Sequence, residues 1–206
     1  MVRFFILSAH YRSPIDFSDQ NLEDAKAGLT RFYESLKAAH DILEKTPIPS
    51  QVPCEVVKDE EREVYDRIEA LEDRFCEAMD DDFNTALAIG HLFEAVRGMN
   101  RIMGEKRFDE CPLSLLVLKD GLTKVEKLGG VLGLFRSAPA AWLAKTQEEG
   151  LADSGLSPAL IEGLIEERKQ ARKSRDFARA DEIRDELAAK GVLLLDSPEG
   201  TTWKLK

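Results

Sequence analysis

Apolar residues recur at steps of three and four through most of this 206-residue chain, a spacing that commits it to helices packed by their apolar stripes. From Ser18 to Leu43, the residues Leu22, Ala25, Leu29, Phe32, Tyr33, Leu36 and Ala39 share one helical face behind an N-cap serine. Pro47, Pro49 and Pro53 then break the pattern, because proline lacks a backbone donor and holds its predecessor out of helical geometry. A loop is expected to about Lys58. Tyr65, Ile68, Leu71, Phe75 and Met79 predict a second helix, which runs into Asp80, Asp81 and Asp82. A third begins near Phe83 and carries Leu87, His91, Leu92, Ala95, Met99 and Ile102. Leu115, Leu118, Leu122, Val125 and Leu128 predict a fourth, with Gly129 and Gly130 as its terminators. Four such helices over residues 18–137 predict an antiparallel bundle that buries its stripes.

The pattern weakens between residues 138 and 158, where APAAWLAKTQEEGLADSG reads as a short helix and a linker. Ser157 followed by Pro158 then restarts a helix, with serine at the N-cap and proline at N1, and Leu160, Ile161, Leu164 and Ile165 supply its stripe. Asp176 caps a further helix through Phe177, Ala180, Ile183, Arg184 and Leu187, which Gly191 closes. The period then changes to two. Val192 to Leu195 and Thr201 to Leu205 read as strands joined by a turn from Asp196 to Gly200. The expected fold is therefore mainly α: a helical bundle followed by a small helix–helix–β-hairpin domain over residues 159–206.

Several function classes are disfavoured. No run of eighteen apolar residues is present, and the apolar stretch after Met1 is too short for a signal-peptide core, so a cytoplasmic protein is expected. Cys54, Cys76 and Cys111 form no CxxC pair, and His10, His40 and His91 are scattered, so neither a disulfide framework nor a metal site is expected. The three consecutive aspartates would suit a hard cation. Their position between two helices favours a capping role instead. No phosphate-binding glycine loop, nucleophile elbow or Cys/His pair occurs, so catalysis by these residues alone is not expected.

Charge is unevenly distributed. The chain has a net charge of −10, which disfavours phosphate contacts, yet Ile165 to Arg179 holds six basic residues against three acidic ones. The six are Arg168, Lys169, Arg172, Lys173, Arg175 and Arg179. Beside them, Asp181 follows Phe177 by four positions, so both project from the same side of a helix. An aromatic plane beside a carboxylate suits an unstacked base, and a carboxylate can accept both N–H groups on the Watson–Crick edge of guanine. Arg172 and its neighbours suit phosphate contacts or stacking by their guanidinium planes. The competing readings are that Phe177 is core, that Asp181 pairs with an arginine, and that the whole is a helical interaction module without an RNA role.

Three blocks in order carry a family resemblance. RKSRDFARADEIRDELAAKGVLLLDSPEGTTWK is similar to the C-terminal end of bacterial cysteinyl-tRNA synthetases, and RFFILSAHYRSPIDFS and FCEAMDDDFNTALAIGHLFE resemble earlier blocks of the same family. The resemblance implies that Arg172, Phe177, Asp181 and Asp196 contact the GCA anticodon of tRNA(Cys), with Asp181 on the guanine at its first position. The family pattern has tryptophan where Phe177 stands. It also implies that residues 1–17 are the end of a catalytic or stem-contact region, and that the bundle touches the inner bend of the tRNA. The family's His-Ile-Gly-His and Lys-Met-Ser-Lys-Ser type signatures and its zinc site do not occur in these residues. The resemblance therefore implies an inactive C-terminal fragment without a cofactor of its own. Its parent, a class I synthetase, would use ATP and zinc to join cysteine to tRNA(Cys), with the missing catalytic domain as this piece's partner and a monomer as the working form. The alternative within reach is a related cysteine–amino-sugar ligase of mycothiol synthesis, which shares the catalytic fold but lacks an anticodon reader.

Overall fold

A computed structural model describes residues 1–48, 59–105, 108, 112–154, 156–197 and 200–205. Its contacts group into two units, Met1–Ala140 and Ala141–Lys206. Most of the proline-rich connection read between Pro47 and Lys58 lies outside the described residues, as do Cys54, Cys111 and the centre of the hairpin turn.

The first unit packs α1 (Val2–Leu7), α2 (Asp19–Lys45), α3 (Asp59–Glu69), α4 (Leu71–Asp80), α5 (Thr85–Met103) and α6 (Pro112–Val131). Ser18 caps α2 as its residue type predicts, its hydroxyl accepting from the Asn21 amide at 3.3 Å. The buried face of α2 is Ala25, Leu29, Phe32, Tyr33, Leu36 and Ala39, and it meets α1, α5 and α6. α1 is too short to show a stripe, but it buries Phe4 and Phe5. Phe4 then joins Phe32 and Phe93 in a ring cluster with centroids 4.1–6.2 Å apart, and Phe135 stands 5.1 Å from Phe32.

Three expectations for this unit need correction. The second helix is two helices, α3 and α4, divided at Ala70. The Lys124 ammonium donates to the Ile68 carbonyl at 3.0 Å and the Glu69 carbonyl at 3.4 Å, and a side chain entering the backbone ladder is a recognised cause of such a break. Val64 and Ile68 turn inward from α3, whereas Tyr65 is exposed. Next, none of the three aspartates caps α5. Asn84 does so, accepting from the Leu87 amide at 3.0 Å, while Asp81 ends α4 and Asp82 adopts a left-handed φ of 57°. Asp82 instead accepts from the Tyr11 hydroxyl at 2.7 Å and pairs with Arg12 at 3.1 Å. Leu87 is exposed rather than buried. Finally, Gly129 and Gly130 lie inside α6. The stop comes at Gly133, whose φ of 68° allows its amide to reach the Gly130 carbonyl and the Leu134 amide to reach that of Gly129. Gly129 serves packing: a Cβ there would stand 2.2 Å from the Phe135 ring.

The second unit contains most of α7 (Pro139–Ser154), with α8 (Pro158–Lys173), α9 (Phe177–Ala189), β1 (Val192–Ser197) and β2 (Gly200–Leu205). The stretch read as a short helix and a linker is helical from Pro139 to Ser154. Its Leu151, with Leu156, enters a core completed by Ile161, Ile183, Leu187 and Val192. Leu160, assigned to the stripe of α8, is exposed. The antiparallel hairpin pairs Val192 with Leu205 and Ser197 with Gly200, so its ladder runs into both ends of the expected turn. No helix among the described residues is long and apolar enough to cross a membrane.

Candidate nucleic-acid interface

The interface begins with the cap of α8, where the Ser157 hydroxyl accepts from the Leu160 amide at 3.2 Å and Pro158 follows at the first position. Ile161 fixes which face turns inward, and seven residues on, two helical turns along the same face, stands Arg168. α8 closes at Ser174, and the Asp176 amide reaches back to the Ala171 carbonyl at 2.8 Å. That closure puts Arg175 in the left-handed region at φ 62°, a position glycine usually takes. Asp176 immediately caps α9, accepting from the Arg179 amide at 3.1 Å.

α9 turns Ala180, Ile183 and Leu187 inward. Away from this stripe α9 carries Phe177, 61% exposed, and Asp181, also exposed. The structure thereby rejects two of the competing readings: Phe177 is not core, and Asp181 forms no ion pair among the described residues.

The hairpin supplies the third part. Alternation along β1 sends Val192, Leu194 and Asp196 to the side that packs on the helices, while Leu195 is exposed. Asp196 meets Arg168 there, each terminal guanidinium nitrogen donating to one carboxylate oxygen at 2.9 Å. The hydroxyl of Thr201, its cross-strand partner, donates to Oδ1 at 2.7 Å, and Nη1 of Arg172 stands 3.6 Å from Oδ2. Hydrogen bonds from Arg168, then from Thr201, hold the Asp196 carboxyl far below the usual carboxylate range. Asp196 in turn raises the Arg168 guanidinium, and the charge of Asp181 acts in the same direction.

Of the predicted residues, Arg172 and Asp196 are brought together, and Phe177 and Asp181 share an open helix face. The basic segment holds fewer free cations than its sequence suggests. Arg168 is buried on Asp196, Arg179 bridges Glu167 at 2.8 Å and Glu182 at 3.0 Å, and Lys169 pairs with Glu166 at 3.1 Å. Lys173 and Arg175 form no ion pair among the described residues. Sequence reasoning missed Arg168 and Thr201 as structural partners of Asp196. The signal for Arg168 was its place on the apolar stripe begun by Ile161. Among the described residues, no group of three His, Cys, Asp or Glu side chains is placed to hold a metal ion.

Comparison with known proteins gives this geometry a context. The model of the DALR domain matches residues 74–136, and that of the cysteinyl-tRNA ligase anticodon binding domain matches residues 154–203. The cysteine–tRNA ligase of Syntrophotalea carbinolica is 54% identical over 206 residues, which are 100% of this chain and 40% of that protein. Those of Pelobacter propionicus and Geobacter metallireducens are 52% and 47% identical, again across 100% of this chain and 42% and 41% of theirs. Over its whole length the chain is similar to part of these cysteine–tRNA ligases. It spans about two fifths of the length of these curated relatives. The first match covers α5, α6 and most of α4. The second covers α8, α9 and most of the hairpin, and therefore every residue of the interface described above. An anticodon-binding match over this tail disfavours both the amino-sugar ligase and the module without an RNA role.

Proposed function

We propose that this chain is the tRNA-recognition portion of a cysteine–tRNA ligase, with α8, α9 and the hairpin binding the anticodon of tRNA(Cys) and the first unit binding the tRNA body. The observation that carries the reading is the exposed pair Phe177 and Asp181, one turn apart on α9, inside the segment that matches an anticodon binding domain. Phe177 stacks a splayed base, and Asp181 accepts the two adjacent N–H groups of guanine at the first anticodon position. Arg172 and Asp196 line the neighbouring contact, where the guanidinium donates to a phosphate or base and the carboxylate fixes its direction. The parent enzyme would bring ATP and zinc to the joining of cysteine to the tRNA, in a cytoplasmic monomer whose catalytic domain is the partner of this portion. The residues here bind and orient.

The test is a titration of the 206-residue chain with tRNA(Cys) and with the same tRNA changed at the first anticodon base. Asp181→Ala is expected to lose about 1–3 kcal/mol of discrimination for guanine, the worth of a bidentate base contact. Equal binding of both tRNAs by the unmutated chain sinks the proposal.

A further inference from the structure

Arg168 is 3% exposed, the one charged side chain among the described residues buried to this degree. Its Nε has no hydrogen-bond partner. Burying a guanidinium is costly, so the bidentate contact with Asp196 must supply most of the compensation. A pair of this kind is a poor choice for stability alone, because a well-packed apolar pair of similar volume commonly serves as well or better. What it adds is direction. The planar fork holds both oxygens of Asp196, and Thr201 takes a further lone pair of Oδ1, so the carboxylate cannot turn. Oδ2 then faces Arg172, one helical turn beyond Arg168, at 3.6 Å. Arg168 also feels the charge of Asp181. One covered cation therefore stands behind the Asp196 carboxylate, on a face that would meet a polyanion.

We infer that Arg168 is a positioning residue for nucleic-acid recognition: it locks Asp196, and through it Arg172, and offsets the negative charge that Asp196 brings to the interface. This rests on the anticodon-binding reading proposed above. Arg168 itself touches no base; its role is to fix the groups that do.

The experiment uses the full chain, tRNA(Cys) and the anticodon-changed tRNA, with a thermal melt of each variant and binding measured where each is folded. Arg168→Lys keeps the charge and loses the fork, so affinity for tRNA(Cys) is expected to stay within about threefold while discrimination between the two tRNAs falls about tenfold. Replacing the pair by Arg168→Met with Asp196→Leu is expected to preserve the fold and also lose discrimination. A merely structural residue would instead weaken binding to both tRNAs in proportion to the loss in the melt, and that result overturns the inference. So does normal discrimination by either variant. If Arg168→Lys does not fold, Arg168→Gln, which leaves Asp196 in place, decides by the same two readouts. If the unmutated chain fails to discriminate, the anticodon reading falls and takes this role with it. If the unmutated chain and the variants discriminate alike, only the positioning role falls.

Discussion

The two units close their interiors by different means. In the first, Phe32 is wholly buried against the rings of Phe93 and Phe135, at 4.1 and 5.1 Å, and the ion pairs remain at the surface. In the second, the core cluster among the described residues is six buried aliphatic side chains with Trp203 packed against it, and Arg168 is buried as well. The larger unit has enough apolar surface to exclude charge, whereas the smaller one has proportionally less to bury and ties α8 to its hairpin with an ion pair. Apolar packing is non-directional, but a bidentate ion pair fixes an orientation. The unit with the weaker core is therefore the one whose polar surface groups are held at defined angles.

The strongest test of this contrast is Phe32→Ala. Loss of a fully buried ring is expected to lower the stability of the first unit by about 3–5 kcal/mol, read from denaturant unfolding. A loss below about 1 kcal/mol would mean that the ring cluster does not close that core. A smaller and sharper effect lies in two adjacent glycines of α6. Gly129→Ala places a Cβ 2.2 Å from the Phe135 ring and is expected to cost about 1–3 kcal/mol. Gly130→Ala meets nothing within 4 Å and should stabilise by up to about 1 kcal/mol through helix propensity. Equal effects from the two substitutions would show that close packing does not explain Gly129.

These sites also mark how far the sequence could be read. The long helices α2, α8 and α9 were legible together with their caps Ser18, Ser157 and Asp176, because stripe and cap are both local. The hairpin was legible from the change of period. What escaped depends on contacts distant in sequence: the break at Ala70 comes from Lys124, the use of Gly129 from the position of the Phe135 ring, and α1 is helical without enough length to show a stripe. α7 lacks a continuous stripe, yet its Leu151 is core. At the candidate site, the shared face of Phe177 and Asp181 followed from helical spacing alone, while Asp196 came only from the resemblance. Which cations were already engaged could not be read, since Arg168 meets Asp196 across 28 residues.

Acid is expected to separate the units by the smallest of these effects. In the first, burial of His91 pushes its imidazole below the ordinary 6.5, and the charge of Arg74 adds to this while Glu94 and Glu77 oppose it. The unfolded chain then takes up that proton first, so the contribution of His91 to stability is full above 6.5 and is lost as pH falls through its lower native value. In the second unit the most strongly depressed group is Asp196. Its contribution is full above the ordinary 3.8 and drains only as pH falls below that, toward the native value. Amide hydrogen exchange followed separately in the two units should therefore show the first losing protection in mildly acidic solution, before the second loses the part that depends on Asp196. His91→Gln should flatten the first response. Asp196→Asn should reduce but not abolish the second, because Glu166 and Glu186, held low by Gln170 with Lys169 and by Lys190, titrate in the same direction. An Asp196→Asn chain whose second unit responds to acid as before would show that the buried pair contributes no net stability, leaving orientation as its remaining role.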